Sequence, residues 1–165
     1  MQTVDIMDIS PVRLVQNPGF GAHLLWTFGR SFQEECIGKT PQLPAFFLVL
    51  PLLLHYQSLE KIKSTNKSSG LTKLASKLGE EREQLIAIHD RAVTFRQLTL
   101  ESLGLGVSTK ILHIDYKLAL VRSNDAAPPT APERLKPHIS GADKLGRWFS
   151  RLPLAQVFSL LQVYP

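Results

Sequence analysis

The side chains best suited to acid–base or metal chemistry are His23, His55, His89, His113 and His138, together with Cys36 and the aspartates Asp5 and Asp8. Two imidazoles one helical turn apart with a glutamate between them would make a zinc-hydrolase motif, and no such spacing occurs. A metal site assembled only by folding stays open, but isolated histidines mostly serve structure. Cys36 follows Glu34 and Glu35, whose negative charge works against the thiolate, so it reads as inert. Asp5 and Asp8 precede the first helix with no acid–base partner in view. A phosphate-cradling G-x-x-x-x-G-K-[ST] loop and a G-x-S-x-G nucleophile elbow are both missing. The glycine pairs Gly19-Phe-Gly21 and Gly104-Leu-Gly106 read as a helix start and a helix end. The residues therefore offer no catalytic group, no cofactor loop and no metal ligand set, and favour an accessory, interaction-type protein over an enzyme.

Charge offers a second kind of chemistry. The net charge is +5 over 165 residues, and Lys61, Lys63, Lys67, Lys73 and Lys77 lie in a stretch with no acid. Such a patch can neutralise phosphates, which makes nucleic acid a candidate partner. The centre of the stretch, Ser64 to Gly70, also has the composition of a solvated loop. It lacks the interleaved aromatics that would stack on single-stranded bases.

The scaffold that must position these groups is one domain's worth of chain. At 44% hydrophobic and 20% charged residues it can build an ordinary core, and its single cysteine excludes an internal disulfide framework. The first ten residues carry two acids and no apolar run, so the expected compartment is the cytoplasm. The apolar stretch Leu43 to Leu54 would span only ~18 Å as a helix, short of a bilayer, and is interrupted by Pro51.

Periodicity then sets the elements. Asn17-Pro18 caps a helix running to about Gln33, with Phe20, Leu24, Phe28 and Phe32 on one face. Pro44 to His55 is apolar on all sides, either a helix in the middle of the fold or a surface awaiting a partner. Pro51 should bend it or end it near Leu50. Leu71, Leu74 and Leu78 mark a short helix that stops at Gly79. Glu80, Glu81 and Glu83 open a longer one carrying Leu85, Ile88, Ala92, Phe95 and Thr99 to about Leu103, closed by Gly104 and Gly106. Val107 to Arg122 reads as a β-hairpin turning near Asp115-Tyr116.

Helix, turn, helix and hairpin is the order of a winged helix-turn-helix. Three glutamates at the start of the longer helix argue against a DNA-reading role for it, because they would meet phosphate badly. Ser123 to Pro132 has the composition of a linker, and a C-terminal helical tail follows that either folds back onto the body or docks on a partner. In that tail a variant capping box at Ser140 to Asp143 starts a helix bearing Leu145, Trp148, Phe149 and Leu152, Pro153 ends it, and an apolar piece from Leu154 to Tyr164 closes the chain. The expected fold is mainly α, a helical bundle with a small β-hairpin: a winged-helix-like body at 1–122, a linker at 123–132 and a helical tail at 133–165.

Several landmarks in succession resemble one family. They are Asn17-Pro18-Gly-Phe-Gly-Ala-His-Leu-Leu-Trp26, Leu48-Val-Leu-Pro-Leu-Leu-Leu-His55, Arg91-Ala92, Gly146-Arg-Trp-Phe149 and Val163-Tyr-Pro165. In that order they resemble the middle component of three-component ABC-ATPase conflict systems, and within that group they are similar to the C subunit of the Lamassu anti-phage and anti-plasmid systems. The resemblance implies a small non-catalytic subunit that bridges an SMC-like ABC ATPase and an effector subunit, commonly a nuclease. DNA would be met indirectly, through the complex, and no membrane is involved. The apolar segments that would make the partner interface are Leu50, Leu52, Leu53 and His55 in one stretch and Trp148, Phe149 and Leu152 in the other, with the two aromatics as anchors. The alternative is a stand-alone winged-helix DNA-binding regulator whose nucleic-acid contacts are Lys61, Lys63, Lys67, Lys73 and Lys77. A histidine-based enzyme is the third option.

Overall fold

The computed structural model describes residues 16–164. The helices are α1 (Pro18–Glu35), α2 (Leu43–Leu53), α3 (Tyr56–Lys63), α4 (Gly70–Gly79), α5 (Arg82–Thr94) and α6 (Arg96–Ser108). A hairpin of β1 (Leu112–Asp115) and β2 (Leu120–Ser123) follows, then α7 (Lys136–Ser150) and α8 (Leu154–Leu161). The fold is mainly helical with one small antiparallel sheet, as expected. Asp5 and Asp8 lie outside the described residues.

α1 is the axis. Asn17 caps it, its Oδ1 accepting the N–H of Gly19 at 2.8 Å, and Pro18 stands in the first turn, where its missing N–H costs nothing. The helix packs most extensively against α7 and then α6. The α1–α7 crossing is close because Gly146 has no side chain: a Cβ there would run into the Phe28 carbonyl and the hydroxyl of Ser31. Phe28 sits edge-on to both Phe46 of α2 (5.1 Å between centroids) and Phe149 of α7 (5.2 Å), so three helices meet around one ring. Such pairs contribute about 0.5–1.5 kcal/mol each beyond the area they bury.

Of the two readings of the 44–55 stretch, the core one holds. Ala45, Phe46 and Leu48 to Leu53 are all buried, while Leu43, Pro44 and Phe47 keep part of their surface. Pro51 neither ends nor interrupts the helix at Leu50. The Leu54 N–H still reaches the Leu50 carbonyl at 2.9 Å, and the chain turns by 99° only afterwards, into α3. No single helix among the described residues is long and apolar enough to cross a membrane.

Two further expectations are corrected. The single helix expected from Glu80 to Leu103 is two helices, broken at Phe95, whose φ of −85° and ψ of 0° flatten the turn. β-Branched Val93 and Thr94 precede the break, and the Thr94 hydroxyl bonds back to the Asp90 carbonyl at 3.0 Å, both unfavourable to a continuing helix. Gly104 and Gly106 do not end the second helix, which runs on to Ser108. Gly106 is instead the notch into which Leu112 of the hairpin packs.

The tail folds back onto the body, one of the two expectations for it. Residues 124–132 carry no helix or strand, as a linker would, but α7 then fills the centre of the fold. It begins at Lys136, ahead of the capping box expected at Ser140, because Pro137 occupies its first turn. Lys144 on α7 donates to the carbonyls of Ile62 (3.1 Å), Lys63 (3.2 Å) and Thr65 (2.9 Å), closing the C-terminal end of α3 with a cation. Trp148 Nε1 donates to the Lys67 carbonyl at 2.9 Å. One hydrophobic core therefore includes both sides of the linker.

The hairpin pairs Leu112 with Ser123 through Asp115 with Leu120, and Asp115 Oδ1 accepts the turn N–H groups of Lys117 (3.0 Å) and Leu118 (3.1 Å). Its turn and second strand are tied to the chain entering α2 and to α1. The Leu43 N–H reaches the Ala119 carbonyl at 2.7 Å, the Val121 N–H reaches the Pro41 carbonyl at 3.0 Å, and the Ser123 hydroxyl donates to the Trp26 carbonyl at 2.8 Å.

Candidate partner-binding face

Leu43 and Phe47 stand one turn apart on the side of α2 that the core leaves open, and apolar grooves run along both sides of them. One groove is walled by Ala92 and Val93 of α5, Arg96 at the start of α6, and the C-terminal residues Val163 and Tyr164. Its floor includes Leu48 and its far wall Phe158 of α8. The chain end is fixed there: the Tyr164 N–H donates to His89 Nδ1 at 3.2 Å, and the two rings meet edge-on at 5.8 Å. The other groove is walled by Leu100, Gly104 and Val107 of α6 and by Ile114 and Tyr116 of the hairpin.

Large apolar side chains rim this face in the open. Tyr116 is 80% exposed, Tyr164 75%, Val93 62% and Leu100 46%. A connected surface of this kind is unusual on a chain that works alone and marks an interaction site. No acidic residue lines either groove, and Arg96 makes no ion pair among the described residues.

The residues expected from sequence to form the partner interface lie elsewhere. Leu50, Leu52, Leu53, Trp148 and Phe149 are core residues, covered by the chain's own helices, and Leu152 is half-buried against the same core. They are too apolar and too well matched to one another to remain open in a folded subunit. His55 is half-buried and caps α3, its Nδ1 accepting the N–H of Ser58 at 3.3 Å and lying 3.0 Å from the Ser58 hydroxyl. Arg91 Nη2 donates to that hydroxyl at 3.2 Å, so two family-like landmarks far apart in sequence are joined through one serine. Burial first, and then the charge of Arg91, holds the His55 imidazole below its ordinary value and keeps it neutral. Serine beside histidine suggests nucleophilic chemistry, but Ser58 is only 1% exposed and no substrate can reach it. The cluster is a strut between α3 and α5.

The other histidines are dispersed. His23 and His138 are half-buried with their proton affinity lowered by burial, and His113 is exposed on β1. Among the described residues no three histidine, cysteine or acidic side chains gather as a metal would need. Cys36 is half-buried just after α1.

The lysine stretch is largely engaged. Lys61 pairs with Glu80 (3.6 Å), Lys63 with Glu60 (3.1 Å) and Lys67 with Asp143 (3.1 Å), and Lys77 donates to the Ser64 carbonyl (2.7 Å). Lys73 alone of the five has no such partner among the described residues. Glu60 and Glu80, just outside the stretch, and Asp143 of α7, beyond the linker, offset a charge that looks free along the chain.

The sequence reading missed Val93, Arg96, Leu100, Val107, Tyr116 and Tyr164. A signal for them existed: Val93, Leu100 and Val107 fall off the helical stripe that the core uses.

A family model described as ABC-three component (ABC-3C) system Middle Component 3 matches residues 10–165. No curated protein and no solved structure is significantly similar to the chain.

Proposed function

The chain belongs to the middle components of ABC-three component systems, and from that membership we propose that it is a non-catalytic adaptor holding an SMC-like ABC ATPase to an effector subunit, a nuclease by the family resemblance. Its resemblance to the C subunit of Lamassu systems supports reading it as a component of anti-phage and anti-plasmid defence that acts in the bacterial cytoplasm. The observation that carries the adaptor reading is the apolar face around Leu43 and Phe47, rimmed by Val93, Leu100, Tyr116 and Tyr164. Supporting it, among the described residues the histidines are dispersed and the serine–histidine contact at Ser58 is sealed from solvent. Direct DNA binding by the lysine stretch has less support, since its charges are mostly paired within the subunit.

The test is co-purification with the companion proteins encoded beside it. Val93→Asp combined with Leu100→Asp is expected to release the subunit from the ATPase or the effector while its circular dichroism stays native. Full retention by both companions would reject this face as the docking surface.

A further inference from the structure

The two grooves are chemically asymmetric, and the asymmetry specifies what fits them. Arg96, Leu100, Gly104 and Val107 fall at successive turns of α6 and form one line along its exposed side. The line is apolar except at its start. There Arg96 sits at the N-terminal end of the helix, which has no acid in its first turn and no side-chain cap from Phe95. The guanidinium of Arg96, which has no ion-pair partner among the described residues, therefore stands at one end of an apolar line that borders both grooves. Further along, Gly104 leaves open space: a Cβ built there meets nothing within 4 Å. Leu100 and Val107 flank that gap with part of their surface in water.

We propose that this line receives an apolar segment of a companion component that carries a carboxylate, with the apolar side chains lying over Leu100, Gly104 and Val107 and the carboxylate on Arg96. The inference rests on the adaptor reading and adds the chemistry of the partner to it. A carboxylate is selected because Arg96 supplies cationic attraction and, among the described residues, no acid lines either groove to oppose it. Guanidinium also binds carboxylate through two parallel N–H donors, which fixes register as well as charge. A basic segment would meet Arg96 with like charge and be turned away.

The affinity of the purified full chain for each companion component, measured at low and at high salt, tests this. Arg96→Glu is expected to weaken binding by about tenfold or more at low salt, with the gap to the wild type narrowing as salt rises, while Arg96→Lys, which keeps the charge and loses the paired donors, falls between the two. Leu100→Asp serves as the reference for the face itself, and circular dichroism of each variant checks the fold. If Leu100→Asp abolishes binding and Arg96→Glu leaves it unchanged or tightens it, the carboxylate is refuted and the docking face stands. Unaltered binding by both variants overturns the face and the carboxylate together, as does failure of the wild-type chain to bind any companion.

Discussion

Two apolar regions of the molecule look alike in the sequence and behave oppositely in the fold. Around the α1–α7 crossing, Phe28, Trp148 and Phe149 are enclosed on all sides, helped by the bare backbone of Gly146. Around Leu43 and Phe47, by contrast, Val93, Leu100, Tyr116 and Tyr164 keep much of their surface in water. The difference teaches that the densest apolar runs of a chain need not be the surface it offers to others. A small domain must first bury about two-thirds of its unfolded surface, and the greasiest segments do that work. What remains for partners is a sparser set of apolar residues on helices whose other faces are already committed.

Substitutions can break this contrast. The largest effect is expected from Trp148→Ala, which empties a core site and loses the hydrogen bond to the Lys67 carbonyl; urea denaturation should show a loss of about 3–5 kcal/mol. Combining it with Phe149→Ala should leave the subunit unfolded, and a folded double variant would show that this region is not the core. Gly146→Ala comes next, at about 1–3 kcal/mol, because an added methyl forces apart two helices whose backbones touch. Asn17→Ala removes the cap of α1 and is expected to cost about 1 kcal/mol. On the open face, Leu100→Asp and Val93→Asp should change stability by no more than about 0.5 kcal/mol. If they destabilise as Trp148→Ala does, the two regions are one core.

The pH dependence sharpens the same distinction. Burial lowers the proton affinity of His23, His55 and His138 in the folded chain below the ordinary value of 6.5. The unfolded chain then takes up protons first as pH falls, so the stability held above pH 6.5 is lost on the way down through the folded values. Glu35, held below its ordinary value by hydrogen bonds from Arg151 and then Arg147, adds a second loss at more acidic pH. A thermal midpoint that stays level from pH 7.5 down to pH 5 would contradict the buried, neutral histidines.

Much of the framework was legible in the sequence because local chemistry fixes it. The Asn17-Pro18 cap, the Leu71, Leu74 and Leu78 face and the turn at Asp115 depend on neighbours a few residues away. The break at Phe95 was not legible, since the apolar stripe runs through it and only tertiary packing shows that α5 and α6 bury different faces. Nor was the role of α7. A helix after a proline-rich linker has the same periodicity whether it docks on its own body or on another protein, and Gly146 reveals its purpose only opposite Ser31. The lysine stretch misled for a similar reason: Asp143, which pairs with Lys67, lies on the other side of the linker. The candidate face, built from residues outside every strong pattern, was the least legible part.

Hydrogen–deuterium exchange on the assembled complex, compared with the free subunit, tests the central claim most directly. New protection is expected in the second halves of α5 and α6, at the hairpin turn and at the C-terminal residues through Tyr164, with α1 and α7 equally protected in both states. Protection that instead appears over residues 61–77, with the α5–α6 region unchanged, would contradict it.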